Sequence, residues 1–122
     1  MKTMLIINES ILLCKLIQRQ IQQNGGYNII YALDGEKGLQ MVEQTDPDII
    51  LLDLAIPKIN GFEILEALQS RRQKRNIQKL VLTNLSSPED KERAMNLGCD
   101  AYLIKNDITL DDLAHCIRKL IA

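Results

Sequence analysis

Ile49-Ile50-Leu51-Leu52-Asp53 is a run of four apolar residues closed by a carboxylate. A strand with one wet face alternates apolar and polar side chains. This run does not alternate, so both of its faces must be covered. That is the pattern of a central strand in a parallel sheet with helices on either side. Four other short apolar runs accompany it: Met4–Ile7, Ile29–Leu33, Leu80–Leu82 and Tyr102–Ile104.

Segments of helical spacing lie between the runs. Leu13, Leu16, Ile17 and Ile21 share one face after Ser10, a residue suited to cap a helix. Leu110, Leu113, Ile117 and Leu120 do the same after Thr109. In that last helix Asp111 and Asp112 occupy the first turn and Arg118 and Lys119 the final one, as the helix dipole favours. Ser87-Pro88-Glu89-Asp90 opens a further helix, with Pro at its first position, and Gly98 stops it. Gly25-Gly26 and Asp46-Pro47 separate helices from the strands that follow, and Asn60-Gly61 opens the helix after the central strand. Repeated strand–helix units of this size require right-handed crossovers, which gives a three-layer α/β sandwich. With 122 residues and no linker or internal repeat, residues 1–122 are expected to form a single domain.

Composition narrows the function. Apolar residues make up 46% and charged residues 25%, which excludes a disordered chain, a collagen or a disulfide scaffold. Lys+Arg total 15 against Asp+Glu 16, so no basic excess is present to hold a phosphate backbone. Trp is absent and Phe62 is the one Phe, so there is no base-stacking platform, and no nucleic acid is expected as a partner of this domain. No apolar window is long enough to span a membrane, and Met1–Glu9 turns polar too soon for a signal peptide. A cytoplasmic location follows as the expectation. Cys14, Cys99 and Cys116 are odd in number and widely spaced, which predicts reduced, packed thiols rather than a zinc or redox pair.

In an open parallel sheet, ligands bind at the carboxyl ends of the strands, near a switch in strand order. The residues just past the apolar runs are Asn8 and Glu9, Asp53, Thr83 and Lys105. Singly each has a plain structural reading: Asp53 as a turn cap, Thr83 as a strand former, Lys105 as a solvated lysine. Together they place two carboxylates, a hydroxyl and an ammonium along one edge of the sheet.

With these residues the sequence resembles the receiver domain of two-component response regulators over essentially its whole length. The resemblance is carried by Asn8-Glu9, by Asp53 in Leu52-Asp53-Leu54-Ala55-Ile56-Pro57, by the Asn60-Gly61 turn, by Thr83 after Leu80-Val81-Leu82, and by Tyr102-Leu103-Ile104-Lys105. It implies a flavodoxin-like five-stranded sheet of order 2-1-3-4-5 with five helices. It also implies that Asp53 accepts a phosphoryl group from a phosphohistidine of a sensor histidine kinase or a histidine phosphotransfer protein. By the family pattern Mg²⁺ would be held by Glu9, Asp53 and the backbone carbonyl of Ala55, with Asn8 acting through a water. Lys105 and Thr83 would contact the phosphoryl oxygens, and Tyr102 would change rotamer as Thr83 moves. The surface of the fourth helix, fifth strand and fifth helix would carry the change to a downstream effector protein or to an effector domain missing from this chain, and a homodimer is a further possibility. Such a domain assists its own phosphorylation and dephosphorylation and is otherwise not an enzyme. The physics agrees with this role. A carboxylate is a competent nucleophile at phosphorus, and a divalent cation with oxygen ligands offsets the repulsion between the two anions.

The chain departs from the family at several positions. Asn8 stands where the family usually has an acid, so a weaker Mg²⁺ affinity is expected. Asn106 replaces the proline that usually follows the lysine. A cis bond before a non-proline residue costs about 2.5–4 kcal/mol, so Lys105–Asn106 is expected trans. Ala55 and Leu85 are apolar where the family's residues influence the hydrolytic water, and Asn84 is bulkier than usual; a long-lived phosphoryl-aspartate is expected. Two alternatives compete. One is a degenerate receiver that docks partners without phosphorylation. The other is an enzyme on a similar scaffold, but Asp53-Leu54-Ala55 lacks the second acid of a dehalogenase-type phosphatase. Asn8–Leu12 is likewise no phosphate loop, and His115 sits in the last helix, far from the strand ends.

Overall fold

A computed structural model describes residues 1–23, 25–70 and 76–120. The central run forms β3 (Ile49–Leu52), and all four of its residues are buried. Each such side chain contributes about 1.5–3 kcal/mol by leaving water. Around it the chain runs β1 (Lys2–Ile7), α1 (Ile11–Gln22), β2 (Tyr27–Ala32), α2 (Gly35–Thr45), β3, α3 (Gly61–Ser70), β4 (Gln78–Thr83), α4 (Pro88–Asn96), β5 (Ala101–Ile104) and α5 (Leu110–Leu120). A single 3₁₀ turn at Lys105–Asp107 joins β5 to α5. The strands form one parallel sheet of order β2-β1-β3-β4-β5, the order that the resemblance implies.

The two-residue period of the strands divides the core. Leu5, Ile7, Ile50, Leu52 and Val81 point to one face and pack under α2, α3 and α4, against Val42, Phe62, Leu65 and Ala94. Met4, Ile6, Ile49, Leu51, Leu80 and Leu82 point to the other and pack under α1 and α5, against Cys14, Ile17, Ile21, Leu113 and Ile117. On α1 the outcome differs from the sequence reading. Cys14, Ile17 and Ile21 face the sheet, while Leu13 is half-buried and Leu16 remains 42% exposed. Cys14 sits at the end of β1, its thiol donating to Asn8 O at 3.8 Å. Cys116 is only half-buried, unlike Cys14 and Cys99.

Side-chain caps hold the helix starts. Ser10, Asp34, Ser87 and Thr109 each accept from the backbone N–H three residues on, at 2.7–3.2 Å. Asn60 Oδ1 accepts from Glu63 N at 3.0 Å, and Glu63 Oε1 accepts in return from Asn60 N. Gly98 takes φ +94 after α4, where a side chain would be strained.

Register brings the site together. Ile7 lies opposite Leu52, so Asn8 and Asp53 leave neighbouring strands side by side. Thr83 lies opposite Ile104, so Lys105 emerges one residue beyond Thr83. The loop after β3 is clamped, with Gly61 N donating to Leu54 O at 3.0 Å and Gly35 N donating to Pro57 O at 3.2 Å. A Cβ on Gly61 would stand 2.5 Å from Leu54 Cα and 2.6 Å from Asp53 O, both backbone atoms that cannot swing aside. Gly61→Ala is therefore expected to destabilise the domain by about 1–3 kcal/mol, read from the midpoint of urea unfolding. An unchanged midpoint would refute this tight packing.

Candidate phosphoacceptor site

Asp53 is 5% exposed, and each of its carboxylate oxygens has a partner. Its N–H donates to Ile7 O at 3.0 Å, extending the β1–β3 ladder by one bond. Its Oδ1 accepts from Ala55 N at 3.1 Å, and its Oδ2 accepts from Lys105 Nζ at 2.5 Å. A carboxylate this enclosed needs a paired charge, because desolvating it alone would cost several kcal/mol. Lys105 supplies that charge from the far side of β4, its own side chain 20% exposed. No cis peptide occurs among the described residues, so Lys105–Asn106 is trans, and the chain turns there by the 3₁₀ helix instead of a proline.

Thr83 is completely buried at the end of β4. Its Oγ1 accepts from Leu85 N at 3.3 Å, which leaves the hydroxyl proton free to donate. The Tyr102 hydroxyl donates to Leu85 O at 2.6 Å. Both backbone polar groups of Leu85 thus link Thr83 to Tyr102. Burial pushes the Tyr102 phenol above its ordinary value, and the nearby Asp90, Cys99 and Asp53 add to the rise.

Asn8 is 3% exposed. Its N–H donates to Ala32 O at 3.1 Å, and its Oδ1 accepts from Ser10 N at 2.9 Å. Glu9 and Ala55 are exposed beside it, Asn84 is exposed, and Leu85 is half-buried. Among the described residues no three His, Cys, Asp or Glu side chains gather as a metal cluster. The donors at the edge are instead two carboxylates, Glu9 and Asp53, with backbone carbonyls. Such a hard-oxygen set suits Mg²⁺, which retains several waters, and gives nitrogen- and sulfur-preferring metals nothing to bind.

The other titratable candidates stay apart from this edge. His115 is exposed on α5, and Cys99 Sγ lies 3.4 Å from Met95 Sδ on the α4 side. Sequence reasoning named Asn8, Asp53, Ala55, Thr83, Leu85, Tyr102 and Lys105 but not the bonds between them. The Asn8–Ser10 bond has a local signal, since Asn two residues before a helix-capping Ser favours this turn. The Leu85 bridge has none, because it uses only backbone atoms.

Comparison with known proteins follows the same outline. Residues 4–118 match the family model described as the response regulator receiver domain. The chain is 37% identical over 95 residues to a gliding motility regulatory protein of Myxococcus xanthus, covering 78% of this chain and 12% of that protein. It is 34% identical over 121 residues to the DNA-binding dual master transcriptional regulator RpaA of Synechocystis, covering 99% of this chain and 49% of that one. The chain thus spans half or less of these curated relatives. Among solved structures, the chemotaxis response regulator CheY4 of Vibrio cholerae superposes with a TM-score of 0.87 at 26% identity, covering 98% of both chains.

Cys14 lies directly under this edge, its thiol pushed from an ordinary 9.0 to about 11 by burial, a rise that Lys105 partly offsets. Burial, with Asp100, pushes Cys99 to about 11 as well. A raised value means less thiolate at any given pH, so at pH 8 both thiols carry about a hundredfold less thiolate than a free cysteine. A thiol reagent at pH 8 should label Cys116 quickly and the other two only on unfolding. Cys116→Ser should abolish the fast phase; a surviving fast phase would mean that Cys14 or Cys99 is open.

Proposed function

The chain belongs to the response regulator receiver domain family, and on that premise we propose that it is a phosphoacceptor switch whose acceptor is Asp53. The observation that carries the reading is the pairing of buried Asp53 with part-buried Lys105, set beside a buried Thr83 with a free hydroxyl proton. The donor is a phosphohistidine on a sensor histidine kinase or a histidine phosphotransfer protein. An Asp53 carboxylate oxygen attacks phosphorus as the phosphorus–nitrogen bond breaks. The electron pair returns to the imidazole nitrogen of the donor, and the phosphoryl group becomes an acyl phosphate on Asp53. Lys105 exchanges its carboxylate partner for a phosphoryl oxygen. The Thr83 hydroxyl donates to another oxygen, and its move toward the site loosens the Leu85 N–H that now holds it. Because Leu85 O is the acceptor of the Tyr102 hydroxyl, the same move frees Tyr102 to change rotamer.

Glu9, Asp53 and the Ala55 carbonyl would hold Mg²⁺, which when bound neutralises charge between acceptor and donor. Phosphorylation shifts a two-state equilibrium only through contacts that are better in one state, here those of Lys105 and Thr83. The surface of α4, β5 and α5 then presents the change to an effector protein, to an effector domain or to a second copy. No helix among the described residues is long and apolar enough to cross a membrane.

Intact mass after incubation with acetyl phosphate tests the acceptor. One phosphoryl group should add in the presence of Mg²⁺ and none to Asp53→Asn. If neither acetyl phosphate nor a phosphohistidine protein labels the domain, it is a phosphorylation-independent docking module. The exposed Ala55 and half-buried Leu85 offer no group to orient an attacking water, so the acyl phosphate should be long-lived. Replacing Ala55 by Asn should shorten its half-life by about tenfold, a small share of what a positioned general base supplies. An unchanged decay of the labelled mass would remove this explanation of lifetime.

A further inference from the structure

Asn8 is held by three of its four polar groups. Its N–H donates to Ala32 O, its carbonyl accepts from Cys14 Sγ at 3.8 Å, and its Oδ1 accepts from Ser10 N at 2.9 Å. The Ser10 N–H can meet only an acceptor, so the amide orientation is determined: oxygen toward Ser10, nitrogen away from it. The remaining group, Nδ2, has no partner among the described residues. Every fully enclosed side-chain nitrogen or oxygen among them does have a partner, so Nδ2 keeps access to solvent although Asn8 is 3% exposed. Asn8 leaves β1 directly beside Asp53, whose N–H bonds to the preceding residue, Ile7.

A rigidly framed amide nitrogen offers two hydrogens and no lone pair. It therefore suits an anionic oxygen and cannot ligate a cation. It also matches a metal-bound water poorly, since such a water presents chiefly its polarised hydrogens, which a nitrogen without a lone pair cannot accept. A phosphoryl group on Asp53 would carry three oxygens, and the buried edge otherwise supplies two side-chain donors, the Lys105 ammonium and the Thr83 hydroxyl.

We propose that Asn8 is a phosphoryl-binding residue, its Nδ2 donating to an oxygen of the group that Asp53 carries. This rests on Asp53 being the phosphoacceptor. It replaces the role of Asn8 as a water-mediated metal ligand: the carboxylate lost from this position is exchanged for a third donor to the anion. Preorganisation makes the donor effective, because Ser10, Cys14 and Ala32 fix its position before the anion arrives.

The test compares the parent with Asn8→Ala in two measurements. Asn8→Ala should leave the Mg²⁺ dissociation constant unchanged, while at saturating Mg²⁺ it should slow labelling by acetyl phosphate about tenfold, the loss of one hydrogen bond to a charged group. If instead Mg²⁺ binding weakens and saturating Mg²⁺ restores the rate, Asn8 acts through the metal and the proposal falls. Because Asn8→Ala also cuts the tie to Ser10, the parent supplies an independent reading. The side-chain amide proton pair of Asn8, followed by ¹H–¹⁵N NMR, should shift downfield and exchange more slowly once intact mass shows Asp53 phosphorylated. A labelled protein with an unmoved pair overturns this inference alone. A parent that takes up no phosphoryl group overturns the phosphoacceptor reading and this one with it.

Discussion

Burial of both faces of β3 is the constraint on which the rest depends. Ile49, Ile50, Leu51 and Leu52 have no solvent face, so helices must cover each side and the strand must lie between two parallel neighbours. The chain turns polar immediately afterwards, and Asp53 is left at a position that is 5% exposed. Its enclosure is a by-product of where β3 ends. The ion pair with Lys105 answers that enclosure, and it ties the middle of the sheet to its β5 edge across β4.

A part-buried pair of this kind is a poor source of net stability, since much of its Coulomb gain is offset by desolvating Asp53. What the pair does supply is geometry, holding side chains from the ends of β3 and β5 at one point of the carboxyl edge. Under the proposed phosphotransfer, the Lys105 ammonium would exchange the Asp53 carboxylate oxygen for a phosphoryl oxygen. At Thr83 the hydroxyl accepts from Leu85 N while its proton stays uncommitted. Leu85 in turn accepts from the Tyr102 hydroxyl through its own carbonyl. The ends of β3 and β5 are therefore joined by an ion pair, and Thr83 of β4 and Tyr102 of β5 by two hydrogen bonds through Leu85.

The clamped loop after β3 completes this frame. Gly61 approaches the Asp53 and Leu54 backbone too closely for any side chain, and Lys58 sits at φ +69, a left-handed conformation unusual for a non-glycine residue. These contacts hold the Ala55 N–H where it can support Asp53 Oδ1. Asp53 is thus fixed by its strand on one side and by a rigid turn on the other.

What the sequence determined by itself is what short-range chemistry encodes. Strand and helix order follow from period and punctuation. The caps at Ser10, Ser87 and Thr109 follow from residue type, and the residues at the carboxyl edge follow from where the apolar runs stop. Their likeness to a known family then supplied the strand order and the expected roles. Tertiary structure decided the rest. It put Cys14 rather than Leu16 against the sheet, because the helix rotates to fit the side chains it meets. It joined Lys105 to Asp53 across 52 positions of chain, and Tyr102 to the carbonyl of Leu85. It also turned the Asn8 amide so that its oxygen accepts from Ser10 N and its nitrogen points away. Such pairings depend on inter-strand register and on which lone pair or proton is already taken, and a linear pattern of residue types specifies neither.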